Sequence, residues 1–277
     1  MTKITAAEVN RLRQQTGSGM MDCKKALVEA EGDFEKAVEI LRKKGQKVAA
    51  KRGDRETSEG LVIAKASEDG KNGIIVVVAC ETDFVAKNQD FVDFANTIAN
   101  AALESMPENA DALQALPYAG NGMTIGEKIT EQVGKIGEKI HIADYGVIRS
   151  ESVVAYNHPG NQVASMVGLS KAAFADHGKD VAMQIAAMRP IAIDKDQVPQ
   201  DVVDKEIEIG KEQARQEGKP EQILEKIALG KLNKFYKENT LLNQDFIKDN
   251  KRSVGQYLKD ADGELPVTDF KRFSLAD

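Results

Sequence analysis

The sequence has no tryptophan, and aromatic residues make up only 5% of its 277 positions. Its core must therefore be built from aliphatic side chains. Three histidines and two cysteines leave little material for metal or thiol chemistry. His141, His158, His177, Cys23 and Cys80 show no ligand spacing among themselves. The two cysteines lie far apart, so no bridge framework can be read, and a reducing cytosol is the simpler inference. No apolar run reaches the ~18–20 residues of a membrane span. The opening "MTKITAAEVNRL" lacks a hydrophobic signal region. A soluble, cytoplasmic protein with no membrane partner is the expectation. There is no P-loop, no GxGxxG after a strand, and no outstanding pair of carboxylates. No catalytic constellation emerges, so neither an enzyme nor a bound cofactor or metal is expected. Cys80 beside Glu81 has no evident local base and reads as a small buried residue rather than a nucleophile. His141 falls in a strand pattern and reads as structural. His158, in the turn "NHPG", is better placed for an exposed binding role.

Charge is abundant, at 30% of residues, but its balance is −6. That argues against nonspecific nucleic-acid binding, which needs clustered positive charge. The stretch "RKKGQKVAAKRGDR" holds seven Lys/Arg against one Asp. It reads as a helix end followed by a solvated linker.

The spacing predicts three short helices over 1–45. Thr5 and Glu8 form a capping box for the first, "TGSG" breaks it, and a second runs from Met20 to Ala30. Asp33 caps the third, with Phe34, Ala37, Val38 and Leu41 on one face, and Gly45 ends it. So small a bundle needs something to dock on. Residues 46–57 read as a linker. "GLVIAKASEDGKNGIIVVVAC" reads as a hairpin whose second strand, Ile74 to Val78, is apolar on both faces. A helix capped at Asp90 follows, with Phe91, Phe94, Ala95, Ile98 and Ala102 inward. "SVVAYNHPGNQVASMVGLS" and "KDVAMQIAAM" repeat this hairpin-then-helix order. A helix boxed by Thr124 and Glu127 and a strand near "KIHIADYGVI" join the two. The expectation is an α+β chain: a three-helix module at 1–45, one core unit at 58–138, and a similar one at 139–196 and 239–277, with small antiparallel sheets. Residues 197–238 read as an inserted antiparallel helical hairpin. Its seam is expected at Val203, Ile207, Gly210 and Ala214, returning through Ile223, Ile227 and Gly230. Ser253 caps a late helix, and a final strand closes the tail.

Two apolar features invite a partner. Met20 and Met21 open one helix side by side, and both cannot easily face so small a core. Internal packing and partner contact stay open for them. Phe84 stands in Thr82-Asp83-Phe84-Val85, at the exit of the buried strand. By itself it favours a core position, because large exposed aromatics are uncommon, and Asp83 reads as a turn former.

"LRQQTGSGMMDCKKALVEAEGDFEKAVEILRKKG", "EGLVIAKA", "ETDFVAKN" and "GKLNKFYKENTLLNQDF" together resemble the bacterial translation elongation factor Ts family. The likeness runs from Ile4 to about Phe273, and the first and third stretches are the most specific. It implies a guanine-nucleotide exchange factor for elongation factor Tu, with no chemistry of its own, acting on the GDP and magnesium that the partner holds. It implies a ubiquitin-associated (UBA)-like N-terminal module, two similar core subdomains and an inserted coiled coil. The partner's magnesium and switch region would meet Thr82, Asp83, Phe84 and Val85. Its nucleotide-binding domain would meet Arg13, Met20, Met21 and Lys24, and the second subdomain would add His158. Self-association through the core or the hairpin stays open. Some members continue past the last strand into a C-terminal helix. This sequence ends with "FKRFSLAD", so that contact is expected to be missing. Two other classes compete: a regulatory adaptor using the N-terminal bundle, and a thiol enzyme using Cys80.

Overall fold

The central strands set the architecture. In the computed structural model, which describes residues 4–119 and 122–276, three N-terminal helices lead into two small antiparallel sheets. Residues 1–3, 120, 121 and 277, which the expected units include, lie outside the described residues. Helix α1 (Ala6–Thr16) has the Thr5–Glu8 capping box and stops at Gly17 in a left-handed conformation. Helix α2 (Met20–Glu29) packs on it through Cys23, Ala26 and Leu27, against Val9 and Leu12. Asp33 caps α3 (Phe34–Lys51), accepting from the Lys36 N–H.

Gly45 does not end this helix. It is buried within α3, where it meets Gly134. A Cβ added to Gly134 would come within 2.6 Å of the Gly45 Cα, so the glycines are there to let two helices touch. Helix-stop chemistry and close approach use the same residue, and the sequence alone does not separate them. Half of the expected linker is therefore helical, and α3 carries the module onto the core.

Strands β1 (Glu59–Ala66) and β2 (Asn72–Cys80) form the expected hairpin, with Ile63 opposite Val76. A one-turn helix, α4 (Asp83–Ala86), follows. Helix α5 (Gln89–Ser105) is capped by Asn88 rather than Asp90, because the Asn88 side chain accepts from the Asp90 N–H. Helices α6 (Ala110–Ala115) and α7 (Ile125–Ile136) lead to β3 (Ile140–Arg149). The expected boundary at 138/139 places this last strand in the second unit. Its hydrogen bonds are to β2, so it completes the first sheet in the order β1-β2-β3. The second sheet pairs β4 (Ser152–Asn157), β5 (Val163–Leu169) and a strand from the far end of the sequence, numbered β8 below. Helix α8 (Ala175–Met188) covers it.

From Ile74 on, β2 is apolar because both its faces are buried. Ile74, Val76, Val78 and Cys80 point into a core with α5 and α7. Ile75 and Val77 point the other way, into an interface with Val153, Ala164 and Met166 of the second sheet. The layers are thus helix, sheet, sheet, helix.

The helical hairpin is α9 (Gln200–Gln216) and α10 (Glu221–Asn239), turned at Gly218 with φ +74°. On α9 the expected seam is right: Gly210 and Ala214 are buried, and Val203 and Ile207 half-buried. On α10 the seam is displaced. Leu224, Ala228 and Leu232 are buried at i, i+4 and i+8; of the expected residues Ile227 is half-buried beside them, while Ile223 is exposed and Gly230 has no neighbour within reach of an added Cβ. The i, i+4 rule gives either row, and the closest approach, Gly210 on Ala228, selects one. The hairpin's ends lie side by side: the Ile191 N–H donates to the Asn239 carbonyl, and the Leu241 N–H to that of Ala192. Buried Gln244 donates to the carbonyls of Met188 and Glu238, pinning this base. Strands β6 (Asp245–Phe246) and β7 (Asp249–Ser253) form a small ribbon that the sequence reading did not anticipate. Ser253 caps α11 (Val254–Ala261), and β8 (Val267–Ser274) joins β5.

Candidate partner-binding site

Cys80, the last residue of β2, is fully buried and donates to the Thr82 carbonyl at 3.3 Å. Burial pushes its thiol up to about 12, which leaves no thiolate for chemistry near neutral pH. Thr82 then reverses the chain. Its hydroxyl accepts from the Val85 N–H and its carbonyl from the Ala86 N–H, so residues 83–86 form one helical turn. Ala86 is buried and Val85 half-buried. A turn that puts these two inward puts Phe84 outward, and its side chain is left 84% exposed. The expectation that Phe84 belongs to the core is overturned: the fixed backbone between a buried strand and the Asn88 cap leaves it no inward direction. Asp83 pairs with Lys87 at 2.7 Å, and this hydrogen bond holds its carboxyl below the usual aspartate range.

The N-terminal residues are also outward. Met20 and Met21 are 57% and 63% exposed, and Val28 lies bare on the same helix. The core of this module is closed by smaller side chains, Cys23 and Ala26, one turn further on. Arg13 and Lys24 are exposed. An open groove of about 660 Å³ runs between Ile4, Val9, Met20, Met21 and Lys24.

His158 is exposed in the β4–β5 turn, its Nδ1 3.0 Å from the Tyr156 hydroxyl. The turn is tied to β1: Asn157 exchanges two hydrogen bonds with the Ala64 backbone, and the Asn161 carbonyl accepts from the Val62 N–H. His141 lies half-buried in β3, and burial lowers its pKa. Among the described residues no cluster of His, Cys, Asp and Glu could hold a metal ion, and no helix is long and apolar enough to cross a membrane.

The arrangement offers no nucleophile–base pair. It leaves large apolar side chains in water: Phe84, Met20 and Met21. The family model described as Elongation factor TS matches residues 81–277. The chain belongs to the elongation factor Ts family. The family is one of translation elongation factors. Family relatives resemble it over nearly the whole of both chains. The Elongation factor Ts of Cytophaga hutchinsonii is 54% identical over 100% of both chains. That of Christiangramia forsetii is 52% identical over 99% of this chain and 100% of its own. That of Porphyromonas gingivalis is 48% identical over 98% of each.

Reading the sequence missed two acidic residues that hold the Thr82–Val85 turn. Glu138 accepts from both the Thr82 N–H (3.0 Å) and its hydroxyl (2.7 Å). Glu81 accepts from the Lys139 N–H at 2.6 Å and from Arg52 at 2.7 and 2.9 Å. They lie 57 positions apart, and only the β2–β3 pairing, with Cys80 opposite Ile140, brings them together.

Proposed function

We propose that this chain is a guanine-nucleotide exchange factor for elongation factor Tu, acting in the cytoplasm and carrying out no chemistry of its own. The observation that carries the reading is Phe84, a large aromatic held outward by a buried strand behind it. Membership of the elongation factor Ts family supports it. In this reading the three-helix module is UBA-like and the α9–α10 hairpin is a coiled coil inserted into the second of two core subdomains.

Phe84 enters the partner near its magnesium and switch region as a wedge. Thr82 and Val85 frame it, and Asp83 brings negative charge beside it. Arg13, Met20, Met21 and Lys24 hold the nucleotide-binding domain, and His158 adds a contact from the second subdomain. The factor needs no cofactor, because the GDP and the magnesium belong to the partner. It works by binding best a partner state in which the contacts to phosphate and metal are distorted. Linkage makes this reciprocal: whatever weakens GDP when the factor is bound weakens the factor when GDP is bound. GTP can then displace it by the same coupling.

The test is stopped-flow release of fluorescent GDP from elongation factor Tu as this protein is titrated in. A saturable acceleration is expected. Binding without acceleration would leave an adaptor, and no binding would reject the partner. Activity that depended on Cys80 and failed in Cys80→Ser would favour the thiol-enzyme alternative.

A further inference from the structure

The Thr82–Val85 turn is not held by its own sequence alone. Its cap is a single hydroxyl accepting from the Val85 N–H at 3.4 Å, a long bond for a one-turn helix that must keep an aromatic in water. What fixes that hydroxyl is Glu138, in the loop between α7 and β3. One carboxylate oxygen accepts a hydrogen bond from the hydroxyl and the other accepts from the Thr82 N–H. With its proton committed, the hydroxyl turns a lone pair toward Val85. In the opposite direction, Glu81 accepts the Lys139 N–H. Each loop's glutamate therefore satisfies a backbone N–H of the other, just beyond the last β2–β3 pair, Cys80 and Ile140. The clasp also reaches the N-terminal module. Arg52, which caps the C-terminus of α3, grips Glu81 with one guanidinium nitrogen, and the Lys139 ammonium donates to the carbonyls of Gly53 and Arg55.

We infer that Glu81 and Glu138 are positioning residues for exchange: a reciprocal carboxylate clasp that sets the direction of Phe84 and ties it to the module that carries Met20 and Met21. The inference rests on reading Phe84 as a partner contact. Neither glutamate needs to touch the partner. Their contribution is to remove conformations of the turn that would have to be frozen out on binding. Because Glu138 is separated from Phe84 by Thr82, its effect must pass through the turn, and that gives it a signature.

The experiment is a double-mutant cycle between Glu138→Ala and Phe84→Ala. The readout is the maximal rate of fluorescent GDP release from elongation factor Tu at saturating factor. Freeing the Thr82 cap from Glu138 is expected to slow release about threefold to tenfold in the parent background. In the Phe84→Ala background the same change should alter the rate by less than about 1.5-fold, since there is no ring left to aim. Glu138→Gln, which keeps one acceptor oxygen, should fall between parent and Glu138→Ala. Amide hydrogen exchange separates aiming from unfolding: protection should fall at Thr82 and Val85 while β2 keeps its own. Equal losses in both backgrounds would overturn the clasp, and so would loss of protection throughout β2. A slow Phe84→Ala beside an unimpaired Glu138→Ala would overturn the clasp and leave the wedge standing. A Phe84→Ala that releases GDP as fast as the parent would overturn both.

Discussion

Replacing Phe84 with alanine separates partner contact from folding more cleanly than any other single change. In the free protein the side chain is 84% exposed, so truncating it removes almost no buried surface. Stability should stay within about 0.5 kcal/mol of the parent. In a complex that buries the ring, the same truncation gives up about 1.5–3 kcal/mol, a factor of roughly 10–150. Part of that holds the complex together whether or not GDP is bound, and this part does not speed release. The expected slowing of catalysed release is therefore about threefold to a hundredfold. A factor that accelerates release by about 10³–10⁴ must lower the barrier by roughly 4–5.5 kcal/mol. One phenyl ring cannot supply this, and in the proposed reading the N-terminal module and His158 supply the remainder. The assay is the GDP off-rate at saturating factor, with a thermal melt of each variant alongside. Complete loss of exchange in a folded Phe84→Ala would refute the distributed account. A large fall in Tm with normal exchange would return the ring to a structural role.

Met20→Ala with Met21→Ala should weaken binding to elongation factor Tu while moving Tm little, since both side chains are more than half exposed; unchanged affinity by titration calorimetry would remove them from the interface. Replacing 197–238 with a short loop should leave a folded protein with substantial exchange activity, because Ala192 and Thr240 already pair at the base. A well-folded deletion with no GDP release would make the hairpin part of the machinery. Glu81→Gln should show a pH-dependent cost. The Lys139 N–H, aided by Arg52 and opposed by burial, holds the Glu81 carboxyl below its ordinary 4.5. A carboxyl depressed on folding stabilises above its unfolded pKa, and that gain is lost as pH falls through the folded value. The variant should therefore melt below the parent at pH 7, and the gap should close in acid below 4.5; a gap constant with pH would mean the charge of Glu81 contributes nothing.

Local chemistry made much of this fold legible. The Thr5–Glu8 and Thr124–Glu127 boxes, the Asp33 and Ser253 caps and the two hairpins each rest on residues within a few positions of one another. Readings failed where a distant partner decides. Gly45 has the chemistry of a helix stop and the role of a helix contact, because Gly134 lies against it. The α10 seam depends on what α9 offers it. β3 follows a helix and precedes a turn, and only its ladder assigns it to β2. At the candidate site, the motif carrying Phe84 was visible as a stretch of sequence. Its exposure was not legible from the residues alone, since a Phe after a buried strand normally continues the core; only the family resemblance implied a ring facing a partner. Glu138 carries no local signal at all: a glutamate after a helix-ending glycine is ordinary on any surface.

The position of β8 has a consequence for how the chain emerges during synthesis. The first sheet is complete once Arg149 has been made. The second is not, because its third strand is Val267–Ser274. Val167, Leu169, Val181 and Ile185 share their core with Leu241, Phe246, Val254, Leu258 and Val267. Between those two groups lies the whole helical hairpin, several seconds of translation at roughly 5–20 residues per second. For that interval the earlier half of the core has nothing to close on, and the nascent chain carries an uncovered aliphatic face. The hairpin thus lengthens the time during which a translation factor is itself most exposed to aggregation while it is being translated.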